Sequence, residues 1–156
     1  MVERVYLDTN VYCRPLDSQA SRRVKSESRA FMEIVRVALQ GEITLVSSDY
    51  VKFEIEKIPD SLKRKDVRGF EKALSSVNVT GDEELTALAR AFSSKCRLNP
   101  LDALHVSAAC LGNADSFLTC DDVILRKRTQ IANLAVEKGY RLKVRNPVSF
   151  IEERQR

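Results

Sequence analysis

At 156 residues the chain is long enough to bury a sizeable core without disulfide or metal staples, and it reads as a single domain over 1–156. A hydrophobic share of 44% against 31% charged residues, with no apolar run near the length of a membrane span, excludes a membrane-embedded class and a disordered one. Four cysteines without a C-x-x-C pair, beside a single histidine, exclude zinc-ligand spacing, while a net charge of +4 permits a polyanionic partner without demanding one. Cys13, Cys96, Cys110 and Cys120 are therefore read as reduced thiols. The charged opening Met1-Val2-Glu3-Arg4 lacks the pattern of a secretion signal, so a cytoplasmic location is expected.

Val5-Tyr6-Leu7 reads as a short strand that breaks at Asp8-Thr9-Asn10. From Ser21 to Gln40, Val24, Phe31, Ile34, Val35, Ala38 and Leu39 recur at helical spacing, and Gly41 is the stop. Ile43–Ser47 supplies a second strand. Ser48 or Asp49 then caps a helix carrying Val51, Phe53, Ile55 and Ile58, ended by Pro59. Beyond it the stripes Val67, Phe70, Leu74, Val77 and Leu85, Leu88, Ala89, Phe92, Cys96 predict a helical hairpin beside the sheet, with Thr80–Glu83 at the spacing of a capping box. Asn99-Pro100 opens a helix of small and apolar residues closed by Gly112-Asn113, apolar on nearly every face and so expected in the core. Ser116–Thr119 is a third strand, Asp121-Asp122 opens a helix, Ile131, Leu134 and Ala135 mark another ending at Gly139, and Arg141–Val144 is a last strand. Strands separated by helices imply right-handed crossovers, hence a three-layer α/β/α sandwich with a mainly parallel sheet.

In such sheets ligands bind beyond the carboxyl ends of the strands. Four acids fall at that end of four elements: Asp8 after the first strand, Glu54 in the helix after the second, Asp102 in the first turn of the core helix and Asp121 after the third strand. Crowded carboxylates repel one another unless cations sit between them, and hard oxygen ligands suit Mg2+ or Mn2+. Singly, each acid has an ordinary use: Asp8 an Asx-turn, Asp102 an acid near a helix start, Asp121 an N-cap, and Glu54 a surface partner for Lys52 or Lys57.

D-T-N at 8–10, S-x-x-x-x-x-E from Ser48 to Glu54, D-A-L-H-V-S-A-A from Asp102 and F-L-T-C-D-D from Phe117, in this order, resemble the PIN-domain ribonucleases. The closing segment Val144–Phe150 resembles that family's last segment, and the likeness runs from Tyr6 to about Ile151. The resemblance implies a metal-dependent endonuclease acting on RNA. It places Mg2+ or Mn2+ on the residues matching Asp8, Glu54, Asp102 and Asp121, with Asn10 and Thr119 orienting ligands or water behind them. It also implies a possible role as a VapC-type toxin, dimeric and silenced by an antitoxin protein. The segment from Cys13 to Ala20 and the long helical middle depart from the compact toxins.

Asp122, Asp115, Glu56 and Asp49 are the substitutes for the chosen acids, and Asp122, next to Asp121, is the foremost of them. His105, one turn beyond Asp102, is read as a hydrogen-bonded packing residue. The basic run Arg126-Lys127-Arg128 is the best candidate for gripping an RNA backbone, ahead of Arg22–Lys25 and Lys63–Lys65. Tyr12 and Tyr50 are the aromatics placed to stack on a base. Two other functions remain open: a silent PIN-like module that binds RNA or protein, and aspartyl-phosphate chemistry at Asp8. The latter is disfavoured because Asn10 stands where a second acid is needed.

Overall fold

The computed structural model describes residues 2–156. Five strands, β1 (Glu3–Leu7), β2 (Ile43–Ser48), β3 (Ser75–Val79), β4 (Ser116–Leu118) and β5 (Lys143–Arg145), form one sheet in the order β3-β2-β1-β4-β5. Every pairing is parallel. The helices are α1 (Thr9–Cys13), α2 (Arg22–Leu39), α3 (Asp49–Glu56), α4 (Ser61–Leu74), α5 (Glu83–Cys96), α6 (Pro100–Leu111), α7 (Asp122–Arg126), α8 (Arg128–Glu137) and α9 (Pro147–Arg154), with a 3-10 turn at Arg14–Leu16.

The strand order fixes the layers. The chain steps outward from β1 to β2 to β3, then returns over the sheet to β4 and continues to β5, so right-handed connections put the two sets of helices on opposite faces. The packing agrees: α2 contacts α1, α4 and α9, whereas α5 contacts α6 and α8. The direction of winding reverses between β1 and β4, which opens a crevice at their carboxyl ends.

β1, β2 and β4 are almost wholly buried, as a central parallel strand covered on both faces must be. Tyr6 of β1 stacks on Phe117 of β4 at 5.3 Å between ring centres. In α6 every residue from Ala103 to Cys110 except Leu104 is buried, and Asn99 caps the helix through the Asp102 amide. Its C-terminus is pressed onto the sheet: a Cβ at Gly112 would lie 2.6 Å from Val46 Cγ1 and 3.0 Å from Val79 Cγ2. The sandwich and the parallel sheet are those the sequence predicts.

The helical middle requires correction. Ser75–Val79 is the edge strand β3, so Val77 belongs to the sheet and α4 and α5 are not a hairpin. Val77 fits the helical stripe of α4 by spacing alone, but in Ser75-Ser76-Val77-Asn78-Val79 the β-branched Val77 and Val79 alternate with polar residues, and the stretch pairs with β2. The helices that do pack together across a short connection are α5 and α6. Asp82, not Thr80, caps α5, through the Leu85 amide. β5 runs two residues later than predicted at its start, and the sequence reading did not assign α9.

Candidate functional site

Asp8 follows β1 as the N-cap of α1; Oδ1 accepts the Thr9 amide at 2.8 Å. Its other oxygen, Oδ2, accepts from the Thr119 hydroxyl at 2.9 Å and from Asn10 Nδ2 at 3.2 Å. Thr119 lies just beyond β4, where its hydroxyl also takes the Asp121 amide at 3.0 Å, and Asn10 Oδ1 takes the Cys120 amide at 3.0 Å. Asn10 and Thr119 thus tie the end of β1 to the end of β4 across the crevice. The capping role of Asp8 is real, but it uses one oxygen and leaves a buried carboxylate held in one orientation.

Glu54 is reached through Ser48, which caps α3 by accepting the Tyr50 and Val51 amides. One turn later the Glu54 side chain turns inward and pairs with neither Lys52 nor Lys57. Its Oε1 accepts from the Thr9 hydroxyl at 2.8 Å and from His105 Nε2. Lys52 pairs with Glu71 instead, and Lys57 lies over the Phe53 ring.

His105 is both a packed residue and a member of the site. It is buried; Nδ1 meets the Tyr6 hydroxyl at 2.7 Å, and that hydroxyl meets Ser48 Oγ at 2.7 Å. Nε2 lies 4.0 Å from Asp8 Oδ1. Asp8, Glu54 and His105 each place one ligand atom within 4.8 Å of the others, the one such metal-capable group among the described residues. The sequence signal was its spacing: His105 stands three residues after Asp102 on a helix, hence on the same face.

Asp102 and Asp121 stand outside that close set but share its field. Burial, then the charges of Asp8 and Asp121, push the Asp102 carboxyl up to about 6. Asp102 Oδ2 also accepts from Asn99 Nδ2 at 2.8 Å. Asp121 caps α7 through Oδ1, bonded to the Val123 and Ile124 amides. Burial raises the Asp8 carboxyl above its ordinary value, reinforced by Glu54 and opposed by His105. Burial would raise Glu54 too, but the hydrogen bond and charge of His105 outweigh it and hold that carboxyl low. Burial opposes a charge on His105, yet its bond to Glu54 and the acids around it raise its pKa.

The substitutes for the chosen acids are engaged elsewhere. Asp122 pairs with Arg23 at 2.8 Å, Glu56 with Arg68, and Asp49 with Asn78 and the Gly81 amide. Asp115 sits at the start of β4, where it accepts the Arg4 amide. Arg126 and Arg128 are exposed, while Lys127 donates to the Arg97 carbonyl. Tyr12 is buried and cannot stack on a ligand, which corrects its reading as a stacking residue, whereas Tyr50 remains half-buried. All four cysteines are free, as expected.

The residues present fit a metal cation: the Asp8 and Glu54 carboxylates converge beside His105, whose two nitrogens are engaged by Glu54 and Tyr6, and Asp102 and Asp121 raise the negative potential. Among the described residues no helix is long and apolar enough to cross a membrane. No curated protein matches the chain. Among solved structures, VapBC2 from Rickettsia felis, bound to a DNA fragment from its promoter, is similar with a TM-score of 0.59 at 13% identity, covering 90% of this chain and 98% of that one. FitAB bound to an IR36 DNA fragment is similar with a TM-score of 0.56 at 17% identity, covering 92% and 95%. At these identities the likeness is one of fold. Residues 5–129, four-fifths of the chain, match the PIN domain, and the chain belongs to that family.

Proposed function

We propose that this protein is a Mg2+- or Mn2+-dependent endoribonuclease whose site comprises Asp8, Glu54, Asp102 and Asp121. The observation that carries this reading is the meeting of Asp8, Glu54 and His105 within 4.8 Å at the point where the winding reverses. Asp8 and Glu54 are the nearest ligands, and Asp102 and Asp121 complete the acidic field. A bound divalent ion supplies positive charge against the scissile phosphate and makes water acidic enough to attack it near neutral pH.

The chain's own groups prepare that centre. Thr119, Asn10 and the Thr9 amide hold both oxygens of Asp8, and the Thr9 hydroxyl and His105 hold Glu54. Neutral His105 keeps its proton on Nε2 against Glu54 and accepts from Tyr6 at Nδ1. When protonated it donates to Tyr6, which then donates to Ser48, so the added proton is accommodated by reversing the Tyr6–Ser48 bond, at the cost of the acceptor that the Ser48 hydroxyl has in the neutral state. Arg126, Lys127 and Arg128, shortly after Asp121, are proposed to meet the RNA backbone.

The PIN membership supports the nuclease chemistry, and the likeness of fold to VapBC2 and FitAB supports a toxin role. In that role the protein is a cytoplasmic homodimer and an antitoxin protein is its partner. Cleavage of end-labelled RNA by the purified protein with added Mg2+ or Mn2+, repeated with Asp8→Asn and Asp102→Asn, tests the reading. Wild type should cut and both variants should not. Binding of RNA without cutting by any version would mark a silent module instead.

A further inference from the structure

Beside the acidic centre lies a groove of about 650 Å3 lined by Tyr50, Gly81, Asp82, Glu83, Thr86 and Arg90. Tyr50 forms the wall between them. It stands on α3 one turn before Glu54, and its ring sits edge-on to His105 with 6.5 Å between ring centres. Its placement depends on Gly81, where a Cβ would lie 2.5 Å from the Tyr50 hydroxyl. Asp49 ties the two walls together, Oδ2 accepting the Gly81 amide and Oδ1 accepting from Asn78 at 3.3 Å each. The groove is therefore a built feature whose aromatic wall is shared with the metal-capable cluster. With Tyr12 buried, Tyr50 is the partly exposed aromatic that lines the groove.

The opposite wall carries polar groups that the fold leaves unused. Asp82 spends Oδ1 on the Leu85 amide, leaving Oδ2 uncommitted; Glu83 and Arg90 are exposed and form no ion pair among the described residues. A carboxylate can only accept hydrogen bonds and a guanidinium can only donate them. The ligand must then show adjacent donors along one edge and adjacent acceptors along another. Guanine does so, with N1–H and the N2 amine on its Watson–Crick edge and O6 and N7 on its Hoogsteen edge. Adenine, cytosine and uracil each offer a single donor group among acceptors.

We propose that the Tyr50–Arg90 groove is a base-recognition subsite that takes a guanine of single-stranded RNA next to the scissile phosphate, stacked on Tyr50 and read by Glu83, Asp82 and Arg90. The subsite rests on the nuclease reading for its position relative to the cut, but not for its ability to bind. Stacking on an aromatic is indifferent to base identity. Selectivity therefore resides in the α5 side chains, and affinity in Tyr50.

The test uses the full chain and a pool of short single-stranded RNAs randomised in sequence, with cut ends sequenced after Mn2+ addition and bound RNAs sequenced from the Asp8→Asn protein. Guanine should be enriched about tenfold or more at one fixed position beside the cut, the discrimination that one bidentate base contact supplies. Arg90→Ala and Glu83→Gln should each collapse that enrichment, and Tyr50→Ala should weaken binding of every RNA. Cutting with no base enriched at a fixed position, or an enrichment that survives both α5 substitutions, overturns the subsite and leaves the nuclease standing. Absence of cutting with guanine-selective binding lost in Arg90→Ala overturns the nuclease and keeps the subsite. Neither cutting nor selective binding overturns both.

Discussion

His105 Nε2 bonds Glu54 and lies 4.0 Å from Asp8 Oδ1, so a single imidazole sits between the two acids that define the crevice. A proton on that imidazole is favoured by the acids and unfavourable for a divalent cation in the same space. The pKa of His105 is raised above 6.5 by its bond to Glu54 and by the surrounding carboxylates, against the cost of burial. Acidification thus places a positive charge beside the two carboxylates proposed to hold the ion.

The expected outcome is that Mn2+ affinity falls steeply as pH drops through the raised His105 value. In His105→Gln, where the side chain stays neutral, the fall should be shallower and governed by the carboxylates alone. Isothermal titration of Mn2+ at several pH values measures this. An unchanged pH slope in the variant would show that His105 does not share the ion's space.

Asp102 makes the opposite demand on stability. Its carboxyl is raised from 3.8 to about 6, first by burial and then by Asp8 and Asp121, so the folded state binds its proton more tightly than the unfolded chain does. Such a group destabilises the fold when ionised, and stability rises as pH falls from above about 6 toward 3.8. His105 adds in the same direction, because a raised pKa contributes stability that is present below 6.5 and lost as pH rises through the raised value. Glu54 works the other way at lower pH: its carboxyl is held below 4.5, so its contribution is lost as pH falls through that depressed value.

Metal-free protein in chelator should therefore melt at a higher temperature near about pH 5 than near about pH 8. Asp102→Asn should flatten the dependence by raising the melting temperature at the alkaline end. Divalent ions added to wild type at the alkaline end should do the same by neutralising the cluster. Thermal melts by circular dichroism measure all three.

On the far side of the β1–β4 crevice, the buried Glu27 carboxylate gathers Arg14 at 2.8 Å, Arg23 at 3.2 Å and Asn146 at 2.6 Å. Arg23 reaches on to the Cys120 carbonyl at 2.6 Å, between Thr119 and Asp121. Removing Glu27 takes one acceptor from two guanidinium groups and an amide, while Arg14 keeps Asp17 and Arg23 keeps Asp122 and the Cys120 carbonyl. Glu27→Ala should cost about 1–3 kcal/mol, the range for lost hydrogen bonds to a buried charged group. Glu27→Gln should cost less, since it keeps an oxygen for one donor. Urea denaturation gives both values.

Much of this architecture was legible because the signals were local. Asn99-Pro100 and Gly112 bound α6, Gly41 and Gly139 end α2 and α8 at positive φ, and Asp8 and Asp121 come just after β1 and β4. What local signals could not supply was partnership. Val77 satisfies helical spacing, and only the open edge of β2 makes it a strand residue. His105 reads as packing because a lone buried histidine usually is, and its second nitrogen finds Glu54 only when α3 and α6 meet in space. Tyr12 looked available from its place after Asp8, but α1 continues as a helix and turns the ring into the core against Phe31.

Gly112 tests how tightly α6, and with it Asp102 and His105, is seated. A methyl group at this position meets Val46 Cγ1 at 2.6 Å and Val79 Cγ2 at 3.0 Å, and short branched side chains on paired strands have no rotamer into which to retreat. Gly112→Ala should destabilise by about 1–3 kcal/mol, the usual cost of overpacking. The loss should persist in saturating divalent ion, because the strain lies at the far end of α6 from the acids. Denaturation with and without Mn2+ separates it from any effect on the site.

Thr119 is the sharpest probe of the acid centre, because its hydroxyl serves three partners at once: it donates to Asp8 Oδ2 and accepts from Asn10 and from the Asp121 amide. Thr119→Val keeps the shape and removes all three bonds in a fully buried place, so the unsatisfied groups should cost about 1–3 kcal/mol of stability. The same change releases one oxygen of Asp8 and loosens the turn that carries Asp121. Mn2+ affinity should therefore fall about 10–100-fold, the effect usual for removing a bond that orients a metal ligand. Thr119→Ser restores the hydroxyl with a lighter side chain and should recover most of the affinity while recovering less of the stability. Equal Mn2+ affinity in Thr119→Val and wild type would mean that Asp8 keeps its orientation without β4, and the bridge between the two strand ends would then be structural only.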